Sequence, residues 1–351
     1  MVRALLGVTM PRHAKLAALS AVALLSSSAF AWNRGVASRF GTLPEGSAHP
    51  EGIAVDAAGN VYVADFDVDR TPGPGHLVVF DPSGRHPRVV NVAGSSNLLL
   101  GLDFHRVGDK VELLVIDFGA KNVLRVDART GASSIFATIP GGASAGPNAL
   151  AFDRAANVYV SDSFQGVIWQ IAPTGGAVTT WAASPLLTTT GVPPFGANGL
   201  AFNGRQTALF VANTGNDTVL KIPVATRTAE VFVNSINGAD GLAIDEHDNI
   251  WVIANQSDEI VVVEPGGGRA IAKLGDFDGL SGDGAPIGLL FPASLAFHGD
   301  WVYVTNLSLD LRAFSPTFNA VDSQWAAAVR RHTVARIPRR LPRDRGESGE
   351  D

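Results

Sequence analysis

The chain has 351 residues, 46% hydrophobic and 17% charged, with 38 Gly, 20 Pro and no Cys. This turn-rich globular composition excludes an intrinsically disordered chain, a collagen repeat and a disulfide-stapled scaffold. A formal net charge of −6 gives no overall basic field to recruit nucleic acid or an anionic membrane, and favours a metal ion or cationic ligand.

The first element in chain order is a targeting segment. Residues 1–31 carry Arg3, Arg12 and Lys15 without an acid, then a mostly apolar stretch from Leu16 to Leu25, then Ser26, Ser27, Ser28 and Ala29-Phe30-Ala31. A basic start, a short apolar run and a small-x-small site predict a signal peptide cleaved after Ala31. The run is too short to span a bilayer. Met10 is an alternative start, since the signal is complete from there. The expected location is secreted or periplasmic. In that oxidising setting a chain without cysteine must be held by packing and chain closure.

Residues 32–337 are assigned to one domain built from a repeat. Six segments share a pattern of small and aliphatic positions, a polar turn and a second apolar stretch: EGIAVDAAGNVYVAD from Glu51, LGLDFHRVGDKVELLVID from Leu100, NALAFDRAANVYVSD from Asn148, NGLAFNGRQTALFVAN from Asn198, DGLAIDEHDNIWVIAN from Asp240 and ASLAFHGDWVYVTN from Ala293. Their starts are 49, 48, 50, 42 and 53 residues apart, the period of a repeat architecture. Two more strand-like stretches follow in each unit, such as HLVVFD then RVVNV, rich in β-branched residues and separated by Gly-containing turns. Four strands per unit and six units predict an all-β fold, a six-bladed β-propeller with four-stranded blades. HTVARI at 332–337 supplies a third strand for the last blade but no fourth follows, while ASRFGTLPEG from Ala37 matches SSIFATIPGG from Ser133. The strand near Ala37 to Leu43 is therefore expected to complete the last blade and close the ring.

The long connections fall at one end of the propeller. They include FDVDRTPGPG, ASPLLTTTGVPPFGA, GDFDGLSGDGAPIGLLFP and the stretch from Leu307 to Arg331. Long loops on one rigid face are where a site is built. At that end, close to the axis, the first positions of the six units read Glu51, Leu100, Asn148, Asn198, Asp240 and Ala293. Two carboxylates and two amides converging on one axis would repel and lose hydration without a cation between them. Oxygen donors without His or Cys suit Ca²⁺ or another divalent metal, and the two apolar positions leave room for water or substrate. Glu51, Asn148, Asn198 and Asp240 are thus the expected metal ligands.

These motifs resemble the family of senescence marker protein and the gluconolactonases, with similarity to paraoxonase-type and diisopropyl-fluorophosphatase-type propellers. The specific part is the order Glu, Asn, Asn, Asp in EGIAVD, NALAFD, NGLAFN and DGLAID. The resemblance implies a divalent metal, usually calcium, held by these four residues above the central channel. NHL-type repeats share phrases like EGIAVDAAGNVYVAD.

A second set, Asp65, Asp117, Asp162, Asn213, Asn255 and Asn306, ends the second strands on the same face and is expected to cap turns. His49, two residues before Glu51, reads as an exposed loop histidine, with a proton carrier reaching the pocket as the alternative. His105 and His298 read as turn residues, and no histidine pair of the paraoxonase kind is visible. Gly142-Ala143-Ser144-Ala145-Gly146 has the spacing of a nucleophile elbow, but Pro147 and a strand follow instead of a helix, so it reads as a loop. Seven Arg lie between 330 and 345, and residues 338–351 read as a solvated, disordered tail rather than as an anionic-surface contact.

The expectation for function is an exported, divalent-metal-dependent hydrolase of lactones or related esters acting on a small-molecule substrate. Asp240 is the first candidate for ligand and base, and Glu51 the second. The alternative is a noncatalytic NHL-like propeller that binds a protein or glycan and keeps the ion as a structural plug. A lyase or synthase on the same scaffold is a third possibility.

Overall fold

In the computed structural model, residues 35–68, 73–318 and 322–341 are described. The signal segment and the tail beyond Leu341 lie outside them. Each repeat segment supplies the two inner strands of a four-stranded antiparallel sheet, and because its apolar side chains emerge alternately on both faces, each sheet must be covered on both sides. Blade 1 runs outward from His49–Val55 through Val61–Phe66 and His76–Phe80 to Arg88–Asn91. Blades 2 to 5 start from the inner strands Leu99–Val107, Pro147–Phe152, Ala197–Phe202 and Ala239–Ile244. Blade 6 is assembled from Pro292–His298, Trp301–Asn306, Thr333–Pro338 and, outermost, the N-terminal strand Ser38–Thr42. The fold is the expected six-bladed all-β propeller. The closure is as expected too: Ser38 pairs with Arg336 and Thr42 with Thr333, and Leu43 N donates to His332 O at 2.9 Å.

The turn between the first two strands is fixed by one acid used repeatedly. Asp56 Oδ1 accepts from Ala58 N and Asn60 N, and its Oδ2 from Asn60 Nδ2 and Tyr62 Oη. Asp153 does the same with Ala155, Asn157 and Tyr159, and Asp245 with His247, Asn249 and Trp251. Each acid ties a tight turn to an aromatic on the neighbouring strand. Apolar clusters then fill the spaces between neighbouring blades. Phe40, Val61, Val63, Phe80, Tyr303 and Val334, for example, join the last blade to the first.

The long connections carry some structure of their own. The stretch between blades 5 and 6 folds into a hairpin, Phe277–Leu280 against Pro286–Gly288, and the loop after Asn306 contains a 3₁₀ turn, Leu311–Ala313, and one helical turn, Ser323–Ala326. Gly142–Ser144 is a single 3₁₀ turn followed by extended Ala145, so the G-x-S-x-G string is a loop. The last strand runs to Pro338, and Arg339 N donates to Asp300 O at 2.9 Å. No helix among the described residues is long and apolar enough to cross a membrane.

Candidate active site

One irregularity, repeated in every blade, aims the first residue of each repeat. The pairing of the innermost strand with the second slips between Pro50 and Ile53, Leu99 and Leu102, Pro147 and Leu150, Ala197 and Leu200, Ala239 and Leu242, and Pro292 and Leu295. Glu51, Leu100, Asn148, Asn198, Asp240 and Ala293 all lie in these slips, where a β-bulge redirects a side chain out of the pleat. Freed backbone donors are satisfied locally: Ala149 N donates to Ser161 Oγ and Ser294 N to Thr305 Oγ1, each at 3.0 Å. The next position is glycine in four blades because neighbouring inner strands touch there. A Cβ on Gly52 would sit 2.3 Å from Leu100 O, and one on Gly241 2.5 Å from Ala293 O. Blades 6 and 1 are joined at the same level by Thr305 Oγ1 donating to Glu51 O at 2.7 Å.

Glu51, Asn148, Asn198 and Asp240 are brought together around one small cavity of about 40 Å³, together with Thr214 and Asn255. Phe66, Leu100, Phe195, Phe291, Leu309 and Leu311 are among its apolar walls. The amide nitrogens turn outward: Asn148 Nδ2 donates to Ser163 Oγ at 3.2 Å and Asn198 Nδ2 to Thr214 Oγ1 at 3.0 Å. Asn255 Nδ2 donates to Asp240 Oδ2 at 2.9 Å. Glu51 Oε2, Asn148 Oδ1, Asp240 Oδ1 and Asn255 Oδ1 are left buried without a hydrogen bond among the described residues. Burial, and then the charge of Asp240, push the Glu51 carboxyl well above the ordinary range. Burial also raises Asp240, against the opposing hydrogen bond of Asn255.

This set of oxygens fits a hard divalent cation. Buried acceptors that accept nothing, two of them on carboxylates held near each other, are what an ion of Ca²⁺ type would satisfy. No group of three or more His, Cys, Asp or Glu side chains among the described residues is placed to hold a metal. The axial set combines two carboxylates with amide oxygens.

The second set divides. Asp117 accepts from Ser96 N and Ala120 N, Asp162 from Gly146 N and Gln165 N, and Asn306 Oδ1 from Leu290 N, while Asn213 Nδ2 donates to Leu186 O and Thr188 O. Asp65 accepts from Ala48 N. These are the expected turn caps. Asn255 is not one of their number. Strand pairing puts Ala254 opposite Ala239, as Asp162 is opposite Pro147 and Asn213 opposite Ala197, so Asn255 is equivalent to Ser163 and Thr214. These three, of which Ser163 and Thr214 were not anticipated, hold the axial side chains of blades 3, 4 and 5. The spacing from each turn acid was the available signal, since Asp153 to Ser163 and Asp245 to Asn255 span the same interval.

The histidine expectations need correction. His49 is partly buried, its Nδ1 lies 3.0 Å from Leu307 O, and its ring stands 4.9 Å from that of His332. The two rings meet because the last strand of blade 6 arrives beside the first blade, a proximity that chain order conceals. Both rings line a separate cavity of about 600 Å³ with Asp67 and Arg312, beyond Leu309 from the axial one. Burial, and then His49, push His332 down to about 3. His105 is not a turn residue. It is fully buried in its strand, with Nε2 2.8 Å from Ala156 O and Nδ1 3.3 Å from Glu112 Oε1. His298 ends its strand as expected.

An all-β ring of six blades whose inner strands bring acids and amides around one cavity is the class that fold and site define. Residues 118–274 match the family described as SMP-30/Gluconolactonase/LRE-like region, the family that the inner-strand motifs resemble, and the six-bladed propeller is the fold expected from that resemblance. No curated protein sequence matches it. Its structure is similar to a luciferin-regenerating enzyme (TM-score 0.62, 16% identity, 85% of this chain and 95% of that chain). It is also similar to regucalcin, a calcium-binding protein from Agrobacterium tumefaciens (0.57, 16%, 86% and 96%), and to a gluconolactonase from Xanthomonas campestris (0.56, 14%, 88% and 92%). At these identities the likeness establishes the fold. The family suggests lactonase-type hydrolysis of a small molecule.

Proposed function

We propose that this protein is an exported, divalent-metal-dependent hydrolase of lactones or related esters, with calcium the preferred ion. Glu51, Asn148, Asn198 and Asp240 would hold the ion. The observation that carries this reading is the set of buried oxygens around the axial cavity that accept no hydrogen bond. The match to a family that includes gluconolactonases, and the similarity to a calcium-binding regucalcin, support it.

A divalent cation bound there would polarise a carbonyl oxygen and ease ionisation of a water. The chain's own groups do the rest. Ser163 and Thr214 fix the amides of Asn148 and Asn198 so that their oxygens face the axis, and Asn255 fixes Asp240. Asp240 takes the proton from the attacking water as its oxygen bonds to the carbonyl carbon. When the ring C–O bond breaks, the proton passes to the departing alkoxide oxygen, and the product is the open hydroxy acid. The apolar walls exclude bulk water, which strengthens every charge interaction on the floor. Removal of residues 1–31 during export completes the proposal.

The test is metal analysis of the purified mature protein followed by a lactone and ester panel with calcium and with chelator. Bound calcium with chelator-sensitive turnover is the expected result, and an N-terminus at Trp32 the expected processing product. No hydrolysis across the panel with calcium supplied overturns the reading.

A further inference from the structure

We infer that the axial cavity takes lactones or esters with an apolar alkyl or aromatic body, in preference to polyhydroxylated sugar lactones. This rests on the reading of the cavity as the place where the carbonyl is attacked. Its polar lining consists of the four proposed ion ligands with Thr214 and Asn255, whose side chains are hydrogen-bonded to Asn198 and Asp240. The rest of the lining is apolar, with Phe66, Phe195, Phe291, Leu307, Leu309 and Leu311 among it, and no Lys, Arg or His lines the cavity. A sugar lactone placed there would exchange water for hydrocarbon at every hydroxyl that faces the apolar lining, and a hydroxyl buried without a partner is strongly disfavoured.

A track of aromatic rings leads from this cavity to the surface. Phe66 lies 6.0 Å from Phe118 between ring centroids, Phe118 5.8 Å from Phe164 and 6.2 Å from Phe195, and Phe195 5.7 Å from Phe164 and 6.2 Å from Phe314. Phe164 and Phe314 are 42% and 40% exposed, and Val192, in the loop that carries Phe195, is 39% exposed. The ring of Phe164 lies over Gly146, where a Cβ would come within 2.7 Å of it. At about 40 Å³ the cavity is far smaller than the roughly 300–1,000 Å³ of a pocket that buries a whole ligand. The remainder of the ligand must lie along these rings, and apolar surface left open around a site is surface that a ligand covers.

The experiment uses the purified protein with calcium. Turnover is measured on γ-lactones bearing tails of zero to seven carbons, and on δ-decalactone against glucono-δ-lactone. Binding is measured by calorimetry with 2-alkylcyclopentanones, which carry the carbonyl but no scissile ester. The expected result is a kcat/KM that climbs about three- to fourfold per tail methylene until the track is filled, with δ-decalactone far ahead of glucono-δ-lactone and ketone affinity climbing in parallel. Phe195→Ala should flatten the dependence on tail length. Phe164→Ser, at an exposed position, makes the same test if Phe195→Ala fails to fold. Rising ketone affinity without hydrolysis of any lactone sustains the ligand class and refutes the hydrolase. Hydrolysis with no dependence on tail length, or with glucono-δ-lactone preferred, overturns the ligand class and leaves the hydrolase standing.

Discussion

Asn255 donates its side-chain amide to Oδ2 of Asp240 at 2.9 Å, while Oδ1 of the same carboxylate stays buried without a hydrogen bond. The carboxylate is thus held by one oxygen and offered by the other. Asn255→Ala leaves the acid in place but removes its support. Calcium affinity measured by calorimetry should fall about 10- to 100-fold, as when the outer partner of a metal ligand is lost. An unchanged affinity would deny Asn255 a positioning role.

Asp240→Ala separates an enzyme from a noncatalytic propeller that keeps the ion as a plug. In the enzyme, lactone turnover falls about 10²- to 10⁴-fold while the circular dichroism of the fold is kept. If wild-type protein turns over nothing and the variant only melts earlier, the plug is the correct account.

Calcium should raise the melting temperature of the wild type and not that of Glu51→Gln with Asp240→Asn. At 100 times the dissociation constant the added stability is about 2.7 kcal/mol, readable by scanning calorimetry against a chelator control. Equal shifts in both proteins would place the binding elsewhere.

Gly52→Ala puts a methyl 2.3 Å from Leu100 O where two inner strands meet. Relief requires moving one strand from the other, and urea unfolding should show a loss of about 1–3 kcal/mol. Gly266→Ala, with nothing within 4 Å of the added Cβ, serves as the control and should change stability by no more than about 0.5 kcal/mol.

Asp258 provides a dependence on pH. Burial drives its carboxyl up to about 8 against the hydrogen bond from Phe291 N, with the nearby Asp322 and Asp276 adding to the rise. An unfolded aspartate titrates near 3.9, so the folded protein holds a proton that the unfolded chain releases. This contribution is therefore fully present below about pH 4 and is lost as pH rises through about 8. Asp258→Asn mimics the protonated side chain. It should stabilise the protein at pH 8 and weaken the fall between pH 5 and 8, as followed by urea midpoints.

The blades, their order and their closure were legible because burial on both sheet faces gives short, nearly continuous apolar strands such as Ile250–Ala254 and Glu259–Val263, and the turn acids Asp56, Asp153 and Asp245 punctuate them. The axial residues were legible for the same reason, since each opens its repeat. The bulges that aim them were not, because a slip in pairing depends on two strands at once. Asn255 was misassigned by one position because blade 5 ends its second strand at Ala254 and enters a 3₁₀ turn, Asn255–Ser257. The His49–His332 contact, like the aromatic track from Phe66 to Phe314, joins segments far apart in sequence, and side-chain periodicity carries no trace of such meetings.

The strand Ser38–Thr42 is sealed into a blade whose other members come from the far end of the chain, and Ser38 Oγ reaches Arg336 O across 298 positions. A contact of that span is among the last a chain can form, since the entropy of closing so large a loop must be overcome before any reward is returned. Assembly therefore cannot finish until synthesis has passed Pro338, and a chain truncated before Thr333 would present the open edge of Trp301–Asn306 to its neighbours, a template for aggregation.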